Sequence, residues 1–226
     1  MATLVYPTDF TEAGTMTVLT SSTYAIIGSA GQYLRGNTTT YYGVINKKNG
    51  GSNFSVNVSN AIVEGIVQQV NTGANTYAFL VARQSIASGS PAGGVVTGDF
   101  TGGSCYSLRV KQQTMVFDIR KGALNATSPT ILATGSITGT LLTGAVGTQG
   151  KRVCLVCQTE GTGCRLTAYE ADSTTPSITN LSSGWRLLAT ALDATPLAAG
   201  GFGYGARSSG TNDGGIFDNV GFLRLS

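Results

Sequence analysis

Acid–base and nucleophilic catalysis draw most often on histidine, and this 226-residue chain has none. That removes the commonest general base and the commonest metal ligand, and with them any Ser-His-Asp or Cys-His arrangement. Carboxylates remain. A glycoside hydrolase needs two of them flanking the sugar bond, about 5 to 10 Å apart. The 11 acidic residues are scattered singly. Only Glu170 and Asp172 stand at i and i+2, where a strand pattern runs into Ser173-Thr174-Thr175-Pro176. No catalytic residue is predicted, and the chain reads as something other than an enzyme.

Thiols and aromatic rings offer the remaining chemistry. Cys154-Leu155-Val156-Cys157 has redox-motif spacing, but it lies in a strand pattern, where i and i+3 point to opposite faces and cannot converge on zinc or a disulfide. Cys157 and Cys164 flank a hairpin over Thr159 to Gly163. Two readings stay open there, a cross-hairpin disulfide or buried free thiols, with free thiols as the default. Asp213 with Asn212, or Asp172, are the acids a calcium loop would use. Calcium favours a dense Asp/Asn loop, which is absent, so neither metal nor cofactor is predicted. A sugar site needs an aromatic platform beside polar groups. The candidates are Trp185, which is the only tryptophan, with Tyr41 and Tyr42, and further off Tyr24 and Tyr33. Trp185 follows the turn Asn180-Leu181-Ser182-Ser183-Gly184, which puts it at a rim. It reads also as a ring closing the end of the core or touching a neighbouring subunit.

The elements that must hold these residues are strands. Amphipathic helical periodicity is missing, while period-two or wholly apolar runs of five to nine residues recur. The clearest are Val56 to Val70, Thr76 to Gln84, Tyr106 to Val110, Met115 to Arg120, Ile131 to Thr138, Val153 to Gln158, Arg165 to Glu170, Arg186 to Thr190, Phe202 to Ala206 and Ile216 to Leu225. Glycine-rich turns separate them, among them Asn49-Gly50-Gly51, Gly102-Gly103, Gly161-Thr162-Gly163 and Asp213-Gly214-Gly215. In Tyr77 to Arg83 both parities are apolar up to Arg83, as in a central strand. In Met115 to Lys121 the residues Met115, Phe117 and Ile119 share one face, and Val116, Asp118 and Arg120 are expected on a wet one. Gly201, Gly203 and Gly205 resemble a nucleotide loop only superficially, since no helix follows; they suit a curved strand with close backbone approach.

Length, with no break in composition, predicts one domain over 1–226, with 1–8 as an N-terminal arm. Hydrophobic residues make up 41% of the chain and charged ones only 11%, so Ser, Thr, Asn, Gln and Gly must cover the surface. The formal charge is +3, from 14 Lys and Arg against 11 acids. The cations look thinly spread, with Lys47-Lys48, Arg120-Lys121 and Lys151-Arg152 as the only doublets, so no nucleic-acid partner is expected. No secretory signal is visible at the amino terminus, and no apolar run is long enough for a membrane helix.

The order of elements carries a resemblance. Asp9-Phe10-Thr11 and Gly36-Asn37 come first, then Val81-Ala82-Arg83 and Tyr106-Ser107-Leu108-Arg109-Val110. Lys151 to Cys157 and Arg165 to Tyr169 follow, and the chain closes with Gly201 to Arg207 and Gly215-Ile216-Phe217-Asp218-Asn219-Val220-Gly221-Phe222. This series resembles the concanavalin A-like lectin/glucanase superfamily, in particular laminin G-like domains of bacteriophage virion proteins. The resemblance implies an all-β, two-sheet antiparallel jelly-roll sandwich that binds at rim loops or a concave face. Phe217 and Val220 are then core contacts, and Asp218-Asn219 lies at a sharp bend. Two functions follow from it. One is a non-enzymatic virion structural protein, a capsid decoration (cement) protein or a tail component, acting as a dimer or trimer against capsid or tail proteins. The other is a carbohydrate-binding module or adhesin that takes a polysaccharide.

Overall fold

The computed structural model describes residues 3–8, 24–27, 33–36, 42–45, 58–69, 76–85, 95–96, 103–124, 126–138, 142–143, 149–171, 178, 180–207 and 217–225. The elements among them are strands: β1 (Thr3–Thr8), β2 (Tyr24–Ile27), β3 (Tyr33–Gly36), β4 (Tyr42–Ile45), β5 (Ala61–Gln68), β6 (Tyr77–Gln84), β7 (Val95–Val96) and β8 (Cys105–Lys111). They continue with β9 (Val116–Gly122), β10 (Thr130–Ser136), β11 (Leu142–Thr143), β12 (Gln149–Glu160), β13 (Gly163–Ala171), β14 (Trp185–Asp193), β15 (Gly201–Arg207) and β16 (Phe217–Arg224). No helix among the described residues is long and apolar enough to cross a membrane.

Two antiparallel sheets result. The larger runs β14-β13-β12-β5-β16-β3-β2, with β1 paired to β16 and β11 to β12; the smaller runs β10-β9-β8-β6-β15-β4-β7. Alternation along the strands assigns the inner faces. Val63, Val67, Val153, Leu155, Leu166 and Ala168 of the larger sheet meet Ala78, Leu80, Tyr106, Leu108, Phe117 and Ile119 of the smaller in one core. Each large side chain removed from water there contributes about 1.5–3 kcal/mol. Edge strands β10 and β14 also meet, so the two sheets close against each other along one margin.

All ten strands expected from the residue pattern are present, with shifted ends. The first begins at Ala61, five residues later than its apolar run, and Val58 makes only an isolated bridge to Gly200. Thr3–Thr8, within the expected arm 1–8, form β1 and pair with β16. Gly201 to Arg207 is a strand between β6 and β4, as expected for a close backbone approach. The bend expected at Asp218-Asn219 coincides with a register shift between Asp218 and Gly221 against β5. Asp9 to Thr11, Asn37, Asn49 to Gly51, Gly102, Asp172, and Asn212 to Gly215 lie outside the described residues.

One expectation fails at β9. Asp118 and Arg120 were to face water, yet their residues are 9% and 2% exposed. That face carries its own apolar cluster of Phe79, Val81, Cys105 and Leu124, and Arg109 reaches across to Asp118. Met115 precedes β9 with a φ of 53° and still buries its side chain in the main core. Its left-handed backbone closes the β8–β9 turn, Met115 N donating to Lys111 O at 2.8 Å.

Candidate functional site

Register decides which side chains can act together. Trp185 opens β14 at one edge of the larger sheet, whereas Tyr42 opens β4 near the opposite edge of the smaller sheet, and Tyr24 and Tyr33 open β2 and β3 on that same far side. Tyr41 lies outside the described residues. Among the described residues, the strand positions of Tyr42, Tyr24 and Tyr33 thus fall on the side away from Trp185. The Trp185 ring lies on a satellite cluster of Ile62, Cys154, Val156 and Ile178 on the outer face of the larger sheet. The Arg152 guanidinium sits 5.2 Å from its centroid, and Glu64 accepts from Arg152 Nε at 2.7 Å. Burial pushes the Glu64 carboxyl up, against the lowering pull of Arg152.

Cys154 points into this outer cluster while Cys157 points into the main core, as their spacing on a strand requires. All four cysteines are free and buried. Burial pushes the Cys105 thiol up to about 12, with Arg120 opposing, and raises that of Cys154 well above its ordinary value. These two are packing residues rather than nucleophiles.

A second arrangement, on the outer face of the smaller sheet, was not foreseen. Pairing aligns Asp118, Arg109 and Phe79 in one row across β9, β8 and β6, and Lys111, Tyr77 and Arg207 in the next across β8, β6 and β15. The half-buried Tyr77 ring has the Arg109 guanidinium 4.7 Å from its centroid and that of Arg207 at 5.9 Å. Arg109 Nε donates to both Asp118 oxygens, at 3.0 and 3.2 Å, and Arg120 Nε lies 3.8 Å from Asp118. Among the described residues, four cations (Arg109, Lys111, Arg120 and Arg207) less one carboxylate leave three positive charges on this face. That equals the formal charge of the whole chain. Cations that look dispersed along the sequence are thus gathered by register. A signal was available: Arg109 and Asp118 are equidistant from the turn between Lys111 and Val116, so any tight hairpin there pairs them.

Three further carboxylates have basic partners. Glu170 lies beside Lys151 and Arg186, Glu160 beside Arg165, and Asp193 beside Lys121 at 2.8 Å. Asp193 also accepts from Tyr106 Oη at 2.6 Å and from Thr195 N at 3.0 Å. Burial works against ionisation of Asp193, but the Lys121, Tyr106 and Thr195 donors outweigh it and hold the carboxyl down at about 2. A depressed carboxyl stabilises the fold above its unfolded value, near 4, and loses that contribution as pH falls through the folded value. Asp193→Asn is therefore expected to cost about 1–2 kcal/mol at neutral pH. Urea unfolding should show the gap from wild type constant above pH 4 and closing towards pH 2. Among the described residues no group of three or more His, Cys, Asp or Glu could hold a metal ion.

No family model and no curated protein matches the chain. Solved structures do. The VIP36 exoplasmic/lumenal domain bound to Ca²⁺ and Man3GlcNAc superposes with a TM-score of 0.53 at 11% identity, over 90% of this chain and 84% of that one. Its Ca²⁺-bound form gives 0.52 at 11% identity, over 94% and 88%. The CBM2 module of the evolved Dit of Lactobacillus casei BL23 phage J-1 gives 0.44 at 12% identity, over 100% and 97%. With the two antiparallel sheets, the VIP36 likeness establishes a concanavalin A-like jelly-roll sandwich.

Proposed function

We propose that this chain is a non-catalytic recognition module that binds an anionic saccharide on the outer face of its smaller sheet. The observation that carries the reading is the half-buried Tyr77 ring with Arg109 and Arg207 within 6 Å and Lys111 in the same row. Guanidinium forks bind carboxylate or sulfate in two parallel hydrogen bonds, and the Tyr77 ring gathers Arg109 and Arg207 on one patch. Asp118 orients Arg109 without cancelling the surplus charge. VIP36, which shares the fold, has been solved with mannose saccharides bound. The ion pairing of Glu64, Asp118, Glu160, Glu170 and Asp193 supports binding without turnover, since a glycosidase needs two carboxyls available to one bond. A glycan array probed with the chain should light up uronate- or sulfate-bearing glycans over neutral ones, and the signal should fall with added salt. Binding to neutral glycans alone, indifferent to salt, would sink the reading.

A second reading, the virion structural protein, is favoured by a different feature. Leu187 and Leu192 on edge strand β14 are each 56% exposed, and Ile131 on β10 and Val116 on β9 are 47% and 41% exposed near the same margin. Exposed apolar side chains along this margin suit a protein neighbour, such as a second copy or a capsid or tail lattice on the virion surface. Light scattering of the purified chain should then give a dimer or trimer that Leu187→Lys with Leu192→Lys reduces to monomer. A monomeric wild type that ignores purified capsids and tails would remove this reading.

A further inference from the structure

The β12–β13 hairpin holds an arrangement that saccharide recognition does not use. Cys157 pairs with Leu166 and Thr159 with Cys164, so the two cysteines lie diagonally on adjacent strands. Both belong to the core-facing side of that sheet. Their sulfurs are 3.3 Å apart and share a hydrogen bond. Above them lies Arg83, only 5% exposed and held at a φ of 50°, a left-handed backbone costly for a non-glycine residue. Its guanidinium donates at 2.8 Å to Ser59 O, Leu197 O and Thr159 Oγ1. Among the described residues no carboxylate is ion-paired with it. A buried cation fixed by neutral oxygens beside two thiols is an environment that favours a thiolate.

We propose that Cys157 and Cys164 are a redox-active thiol pair, closed to a disulfide by peroxide and reopened by a dithiol reductant. Cys164, next to the exposed turn at Gly161 and Thr162, is the attacking sulfur. Its thiolate displaces hydroxide from hydrogen peroxide to give the sulfenic acid. The Cys157 sulfur then attacks that sulfur and expels water, its own proton leaving with the departing oxygen. The hydroxide takes up the proton that Cys164 had released. Two thiols and one peroxide thus become one disulfide and two waters. The hydrogen bond from Cys157, together with Arg83 and against burial, holds the Cys164 thiol below its ordinary pKa, while the same bond and burial push that of Cys157 up. One thiol attacks and the other resolves.

The test is thiol mapping of the full chain after brief hydrogen peroxide treatment, with alkylation in denaturant. The expected product is about 2 Da lighter than the reduced chain and protects two of the four cysteines. After cleavage at Arg152, Glu160 and Arg165, the segments 153–160 and 161–165 should stay linked until a dithiol is added, with fragment masses placing the bond at Cys157 and leaving Cys154 alkylated. The closed form should melt about 5 °C higher than the reduced form. In Cys157→Ser, a sulfenic-acid trap should label Cys164. Four free thiols after peroxide, a link involving Cys105 or Cys154, or sulfinic acid in place of the disulfide would each overturn the proposal, and these wild-type outcomes stand even where a variant fails to fold.

Discussion

Replacing Glu170 by alanine is expected to destabilise the fold by about 3–5 kcal/mol, the penalty of breaking a buried ion pair from one side. Glu170 and Lys151 face the core from β13 and β12, with side chains 0% exposed, and Lys151 Nζ stands 4.0 Å from Glu170 Oε2. Arg186, half exposed on β14, reaches the same carboxylate from the rim. Truncation leaves the Lys151 ammonium in an apolar core without its carboxylate. The pair itself stabilises little relative to apolar residues of the same volume. Lys151→Met with Glu170→Leu should therefore recover most of the loss. Chemical unfolding of the two variants checks this; a Glu170→Ala chain within 1 kcal/mol of wild type would mean that water already reaches the pair.

Gly200→Val carries the other large effect. A Cβ at Gly200 would lie 2.4 Å from the Gln84 carbonyl oxygen and 2.9 Å from the Arg83 carbonyl carbon, both backbone atoms that cannot rotate away. The end of β6 must shift, and with it the Arg83 hydrogen bonds to Ser59, Leu197 and Thr159. The expected cost is about 3 kcal/mol, at the upper end for overpacking. Gly161→Ala is a control: its Cβ meets nothing within 4 Å, so only its φ of 56° is strained and the loss should be smaller, about 1 kcal/mol.

Strand positions were legible because each buried strand leaves a local apolar signature. β8, β9, β12 and β13 were found within a few residues of their ends. Short strands such as β7 and β11, of two residues each, leave no periodicity to read and are defined only by their partners. The site was less legible, because chemistry on a sheet is assembled across strands. Tyr77, Arg109 and Arg207 span 130 positions of sequence and meet only through the β8-β6-β15 register. Asp118 looked solvated because alternation tells which face a side chain is on, not what covers that face. Trp185 is marked by its type and by the turn that precedes it, and its placement on the Ile62, Cys154 and Val156 cluster depends on segments far away in sequence.

Calorimetric titration of an acidic oligosaccharide selected on the array, into wild type, Arg109→Ala, Tyr77→Ala and Trp185→Ala, tests the central claim most directly. Recognition at the smaller sheet predicts that Arg109→Ala and Tyr77→Ala each weaken binding by about tenfold or more, close to 1.4 kcal/mol, while Trp185→Ala leaves it unchanged. Affinity lost in Trp185→Ala and kept in the other two would place recognition on the larger sheet and contradict the account.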